Sequence, residues 1–299
     1  MRRSRRLEAL REFFTFRDFA HFVEVYLAVV DLVRDAEDVR LLTYEVAQDM
    51  AAQQVRYAEL TCTPYTNVRA GIPIEAFVEA IEDARVAAER DLGVVLRWIY
   101  DVPGEFGVEA AAATVGYLDV APPTLLGFGL GGPEIGVPRP QFKPYFDAAR
   151  AQGLHSVPHA GETTGPQTVW DAVRDLGAER VGHGTTVVQD PQLLAYLAER
   201  RIPLEVCPTS NIATRAVEDL ASHPIIEMRR AGAVVTVNSD DPPMFGTTLN
   251  REYEIAATLL GLDEAGIADM ARAAVRASFL PASDRDRLLG EIDAYAGRV

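Results

Sequence analysis

Two short motifs hold two of the five histidines in this 299-residue chain: His159-Ala-Gly-Glu162 and Gly182-His183-Gly184-Thr185. In the first, the His159 imidazole offers a metal-ligating nitrogen and Glu162 a proton donor, and the intervening glycine lets the chain turn sharply between them. In the second, glycine on both sides of His183 removes bulk, so a ligand or a water can approach the ring closely. A third motif, Asn238-Ser-Asp240-Asp241-Pro242, follows the apolar run Val234–Val237 with two adjacent carboxylates. Such a pair repels itself unless a cation or hydrogen-bond donors hold it, which suggests one carboxylate for a metal and the other for a substrate. Each motif also has a plainer reading. A strand-end histidine can simply bond a neighbour, and paired aspartates can cap a helix that Pro242 begins. Cys207-Pro-Thr-Ser-Asn211 reads as a tight loop with a structural cysteine.

These motifs need elements that bring them together. After about fifty residues of helical texture (Phe16, Phe19, Phe22 and Val23, then Val39, Leu42, Val46 and Met50), short apolar runs alternate with amphipathic stretches. The runs are Val55–Thr61, Val94–Tyr100, Thr124–Gly129, Ser156–His159, Arg180–His183, Pro203–Cys207 and Ala233–Asn238. Helices are expected over Ile74–Glu89, Phe142–Gln152, Thr168–Leu176, Pro191–Arg200 and Ile225–Ala231. Regular alternation of this kind means a parallel sheet covered by helices. An open dinucleotide-binding sheet would begin with a GxGxxG turn, whereas the one Gly-rich turn, Gly127–Gly132, lies mid-chain and lacks that spacing. Polar residues cluster where the runs end: Glu59 and Thr61, Asp101, Gly132 and Glu134, His159 and Glu162, His183, Thr209–Asn211 and Ser239–Asp241. Strand ends converge in this way in a TIM-type βα barrel. The expected fold is therefore α/β, a TIM-type βα barrel one strand short, in a single domain. Residues 1–54 form a helical segment, 55–250 carry strands 2–8 with their helices, and 251–299 form C-terminal helices.

Composition narrows the partners. A net charge of −15 argues against phosphate backbones and anionic lipid, hence no nucleic acid and no membrane. Two cysteines are too few for a disulfide scaffold or a Cys-rich zinc site. The basic start at Met1–Arg6 is followed by Leu-Glu-Ala-Leu-Arg-Glu rather than an apolar signal core, so a cytoplasmic location is expected.

HAGE, GHGT, CPTSN and NSDDP, in that order and each at an expected strand end, make the chain similar to the adenosine deaminase family of the amidohydrolase superfamily. The resemblance runs from about Phe13 to the C-terminus, with Tyr57–Tyr65 and Gly127–Glu134 in support. It implies a zinc ion held by His159 and Asp240, and Glu162 protonating purine N1. It further implies that His183 orients and deprotonates the attacking water, that Asp241 bonds N7, and that the Gly132 backbone faces N3. Zinc would lower the pKa of its water to about 7.

The implied reaction is hydrolytic loss of the 6-amino group of an adenine nucleoside. The texture of YAELTCTPY, FRDFAHFVEVY and NSDDPPMF most resembles members acting on 6-amino-6-deoxyfutalosine, a nucleoside of menaquinone synthesis with a modified 5′ end. That end would meet the segment Phe13–Tyr26 and the loop near Tyr65–Arg69, with Arg17, Arg69 and Arg215 as candidates to pair with its carboxylate. The alternatives are deamination of adenosine, a truncated homologue that binds nucleosides without turnover, and an unrelated barrel hydrolase of cyclic amides.

One departure stands out. The family's first strand carries His-x-His, which supplies two further zinc ligands, and this chain has no His-x-His. His21 sits on a helix, His223 precedes Pro224 in a loop, and His155 lies about 13 Å along a strand from His159, too far to share an ion. A start upstream of Met1 is the expected explanation, with weak activity in the 299-residue form.

Overall fold

A computed structural model describes residues 2–297. Met1, where the basic start begins, lies outside the described residues. Seven strands alternate with helices: β1 (Tyr57–Cys62), β2 (Val95–Pro103), β3 (Leu125–Gly131), β4 (His155–Ala160), β5 (Val181–His183), β6 (Leu204–Val206) and β7 (Val235–Val237). Each run expected from sequence became a strand, and the pairings β1–β2–β3–β4 and β5–β6–β7 are all parallel. Seven parallel strands with crossover helices give the α/β order of a TIM-type barrel, one strand short of the usual eight. The described residues form two compact units. One comprises Tyr26–His159 and Asp171–Ala178, and the other comprises the residues up to Val25, Ala160–Trp170 and those from Glu179 onward.

In the first unit, β2 is buried along nearly its whole length because helices cover both faces. Leu96, Trp98 and Tyr100 on β2 pack with Phe128 and Leu130 of β3 and with Phe142 and Phe146 around the following helix. The Phe128 and Phe146 rings meet edge to face at 5.0 Å. The helix Ile74–Leu92 contributes Phe77, Ala80, Ile81, Ala84 and Ala88, a stripe at helical spacing, and ends at Gly93 with φ +70°. Its Glu82 accepts a 2.6 Å hydrogen bond from the Trp98 indole and so ties helix to strand.

The N-terminal third departs from expectation in two places. Phe16 belongs to no helix: one helix ends at Phe13, and Asp18 starts the next (Phe19–Val30) by accepting a 2.8 Å bond from the His21 N–H. In the helix Ala36–Ala52, Val39 and Ala47 are the buried positions, while Leu42 is 55% exposed. Small residues at the contact bring this helix close to Ile74–Leu92, and the stripe rotates away from Leu42.

In the second unit, the fully buried β5–β7 residues Val181, Leu204 and Val206 form the apolar centre. Arg180, just before β5, stacks 3.9 Å over the Phe279 ring, donates to the Ala277 carbonyl at 3.1 Å and lies 2.8 Å from Glu205. These contacts fix the end of β5 opposite to the one that carries His183.

Candidate active site

The second unit gathers four of the sequence-selected residues. His183 ends β5, Glu162 lies in the loop after β4, and Asp240 and Asp241 follow β7. The His183 Nε2 atom is 3.7 Å from Glu162 Oε2 and 3.8 Å from Asp240 Oδ2. These separations exceed a direct hydrogen bond and suit one oxygen atom shared among the three groups. His183 and Glu162 are buried.

Backbone geometry holds this arrangement. Among the described residues, His183 and Asp240 are two of five non-glycine residues with positive φ, at 60° and 55°. Such conformations cost of order 1–3 kcal/mol each and persist where surroundings over-determine them. The Glu162 loop turns at Gly161, whose φ is +66° and where a Cβ would fall 2.5 Å from Val169 Cγ2. Only glycine fits there.

Asp241 occupies the N-cap position of the short helix Pro242–Phe245, yet its side chain caps nothing. The plainer reading of the paired aspartates is therefore not realised. Burial first, and then the Asp240 carboxylate beside it, push the Asp241 carboxyl well above the usual carboxylate range. Cys207 follows β6, and its thiol bonds the Glu205 carbonyl at 3.6 Å. Burial, reinforced by surrounding carboxylates that begin with Asp240, raises that thiol well above its ordinary range and disfavours a thiolate.

The first unit holds the other sequence-selected residues. His159 Nδ1 lies 3.1 Å from the Leu130 carbonyl, which can only accept, so this nitrogen carries the proton and Nε2 carries the lone pair. That tautomer is the one a metal ligand needs, with a carbonyl orienting the ring from behind. The His159 carbonyl accepts from Arg139 Nε at 3.2 Å. Gly132 has φ +76°, and a Cβ there would fall 2.5 Å from Glu105 Oε2, so only glycine fits. Asp101 near the end of β2 is buried, which pushes its carboxyl up to about 7 despite the opposing influence of His159.

A divalent metal fits these residues. His183, Cys207 and Asp240 bring donor atoms within 4.8 Å of one another; of these the Asp240 carboxylate suits a cation, since burial holds the Cys207 thiol away from its thiolate form. Asp241 and Glu162 crowd further carboxylates around Asp240, a density of charge that a cation offsets.

Residues 4–295 match the adenosine deaminase family profile. The chain belongs to the adenosine deaminase family. It is 67% identical to an aminodeoxyfutalosine deaminase from Streptomyces coelicolor over 291 residues, which covers 96% of this chain and 75% of that protein. Among solved structures it resembles an adenine deaminase from Arthrobacter aurescens, with TM-score 0.92 and 30% identity over 97% of this chain and 89% of that one. It also resembles a zinc-bound amidohydrolase from Burkholderia ambifaria, with TM-score 0.87 and 27% identity over 92% and 78%.

Within this family frame, sequence reading passed over Asn211 and His223. Asn211 Nδ2 lies 3.0 Å from His183 Nδ1, and Asn211 Oδ1 lies 3.3 Å from His223 Nε2. Asn211 belongs to a motif already noticed, but His223 looked like an ordinary loop residue. Its near-complete burial, 2% exposed, is what marks it, and burial cannot be read from a single loop histidine. Of the three arginines considered for a substrate carboxylate, Arg69 is engaged 4.5 Å over the Phe106 ring, and Arg17 and Arg215 are exposed. Among the described residues no helix is long and apolar enough to cross a membrane.

Proposed function

We propose that this protein hydrolytically deaminates the 6-amino group of an adenine nucleoside, with 6-amino-6-deoxyfutalosine as its substrate and futalosine as the product, in menaquinone biosynthesis. The observation that carries the reading is the convergence of Glu162 and Asp240 on His183 Nε2 at 3.7 and 3.8 Å. The choice of substrate within the family is supported by the 67% identity to the Streptomyces coelicolor aminodeoxyfutalosine deaminase.

His159 through Nε2 and Asp240 through its carboxylate would hold one zinc ion. Zinc, when bound, supplies a nucleophile at neutral pH by lowering the pKa of water to about 7. Glu162, buried at the turn after β4, delivers a proton to purine N1 and makes C6 electrophilic. The water oxygen bonds to C6; one of its protons replaces the proton Glu162 gave to N1, the other passes to the 6-amino group as the C6–N6 bond breaks, and that group leaves as ammonia. Purine N7 only accepts hydrogen bonds, so its partner must donate. Asp241, whose carboxyl burial pushes above the usual carboxylate range, is the group proposed for that partner. The Gly132 backbone faces N3, and the missing side chain leaves room for the ring.

The test is ammonia release from aminodeoxyfutalosine, adenosine and adenine by zinc-loaded protein. The reading expects the highest kcat/KM with aminodeoxyfutalosine. A preference for adenosine would move the substrate assignment, and purine binding without ammonia release would leave a binding protein.

A further inference from the structure

Three buried side chains, from the loop before Ile225, the helix Pro208–Ala213 and the end of β5, form a continuous hydrogen-bonded line behind the site: His223, Asn211 and His183, which are 2%, 0% and 3% exposed. At the far end, the Ile225 backbone N–H lies 3.2 Å from His223 Nδ1. An amide N–H can only donate, so Nδ1 must accept and a neutral His223 carries its proton on Nε2. That Nε2–H then donates to Asn211 Oδ1 at 3.3 Å, which fixes the orientation of the amide. The Asn211 NH₂ group therefore faces His183 Nδ1 at 3.0 Å and donates to it. With Nδ1 accepting, the His183 proton sits on Nε2, the nitrogen that faces Glu162 and Asp240.

We propose that His223 is a positioning residue for the reaction: acting through Asn211, it sets the tautomer of His183 so that this ring presents an N–H, not a lone pair, to the attacking oxygen. His183 thereby orients the nucleophile by donating a hydrogen bond and does not take its proton at Nε2. The inference rests on the deaminase reading for its catalytic consequence, but the hydrogen-bond line stands without it.

The surroundings support a fixed line. Burial holds the His223 imidazole down to about 4, so it stays neutral and its Nδ1 remains an acceptor. Asn211 is anchored on both sides: its N–H donates to the Cys207 carbonyl at 2.9 Å, and its carbonyl accepts from Val217 N–H at 2.9 Å. The helix Pro208–Ala213 that carries it starts with Thr209 N–H donating to buried Glu252 at 2.9 Å. Thr247 Oγ1 donates to the second Glu252 oxygen. An amide so placed has one rotamer and one flip available to it.

The experiment uses the zinc-loaded full chain with ¹⁵N-labelled imidazoles; five histidines keep the spectrum assignable. One- and two-bond ¹H–¹⁵N correlations report each tautomer directly. Wild type is expected to show His183 and His223 both protonated at Nε2. His223→Gln keeps a donor toward Asn211 and should preserve the His183 tautomer and most of kcat. His223→Leu removes the donor, so His183 should populate Nδ1–H, and kcat should fall about 10–100-fold with KM unchanged. Should His223→Leu fail to fold, Asn211→Asp takes its place. A carboxylate there accepts from both rings, flips His183 to Nδ1–H and should lower kcat on the order of 10²-fold. Nδ1–H in wild-type His183 would overturn the proposal. So would an unchanged tautomer in both His223→Leu and Asn211→Asp, or a kcat loss in His223→Gln equal to that in His223→Leu. Ammonia release by wild type decides the deaminase reading separately, and the tautomer spectra decide the line of hydrogen bonds whichever way that falls.

Discussion

The Thr185 hydroxyl donates a 2.8 Å hydrogen bond to the Gly161 carbonyl and joins the turn that carries Glu162 to the turn that follows His183. Thr186 reinforces the tie through its N–H at 3.0 Å and its hydroxyl at 3.1 Å to the same carbonyl. From the other side, Gly161 N–H donates to Thr168 Oγ1 at 3.0 Å. The turn that carries Glu162 is thus fixed by hydrogen bonds to Gly161 on both sides.

Replacing Glu162 by Gln keeps the shape and removes the transferable proton. The expected result is a kcat loss of about 10²–10⁴-fold, with KM and melting temperature close to wild type. Steady-state kinetics on aminodeoxyfutalosine measure it. A variant within a few-fold of wild type would remove Glu162 from the acid role.

Gly161→Ala puts a Cβ 2.5 Å from Val169 Cγ2 and 2.8 Å from Thr186 Oγ1 at a φ of +66°. Backbone strain should cost about 1–3 kcal/mol in urea unfolding. Displacement of Glu162 should lower kcat on the order of 10²-fold. If stability drops and turnover does not, the turn is structural only.

Asp240→Asn leaves a neutral amide where a metal-binding carboxylate stood. Zinc per chain after dialysis should fall well below that of wild type, and ammonia release should fall with it. Equal zinc content in the two proteins would move the metal away from Asp240.

His223 links folding to pH. Its pKa falls from 6.5 to about 4 on folding because burial disfavours the charged ring. The unfolded chain therefore binds the proton first as pH drops. Stability from the neutral ring is complete above about pH 6.5 and is lost progressively towards pH 4, by up to about 3 kcal/mol. His223→Gln should flatten this limb of a urea-midpoint series between pH 4 and 7. Parallel slopes for the two proteins would count against a buried neutral imidazole.

Phe128→Ala opens the first unit's core where Phe146 packs edge-on at 5.0 Å. A loss of about 3–5 kcal/mol is expected by chemical denaturation.

The strands were legible because burial on both faces writes itself as continuous apolar runs, as in Val94–Tyr100, which the structure extends to Pro103. The three-residue strands β5–β7 were legible from the polar motifs at their ends as much as from their own residues. The break at Phe16 was hidden because aromatic spacing continued across it, while the signal lay in the Asp18 side chain. In the site, Glu162, His183, Asp240 and Asp241 stood out by residue type and by their neighbours. Asn211 and His223 did not, because their importance lies in contacts between positions 183, 211 and 223 that no local pattern encodes.

Arg139 has no exposed surface, and its guanidinium donates to three carbonyls: His159 at 3.2 Å, Pro133 at 3.3 Å and Val137 at 3.4 Å. The loop after Gly132 and the end of β4 are thereby wired to a single cation, so their backbones cannot shift independently of each other. Anyone grafting a relative's 133–138 loop to change nucleoside preference would have to transplant the arginine's acceptor pattern as well. Directed evolution of that loop should return second-site changes at position 139 or along β4, far more often than at random.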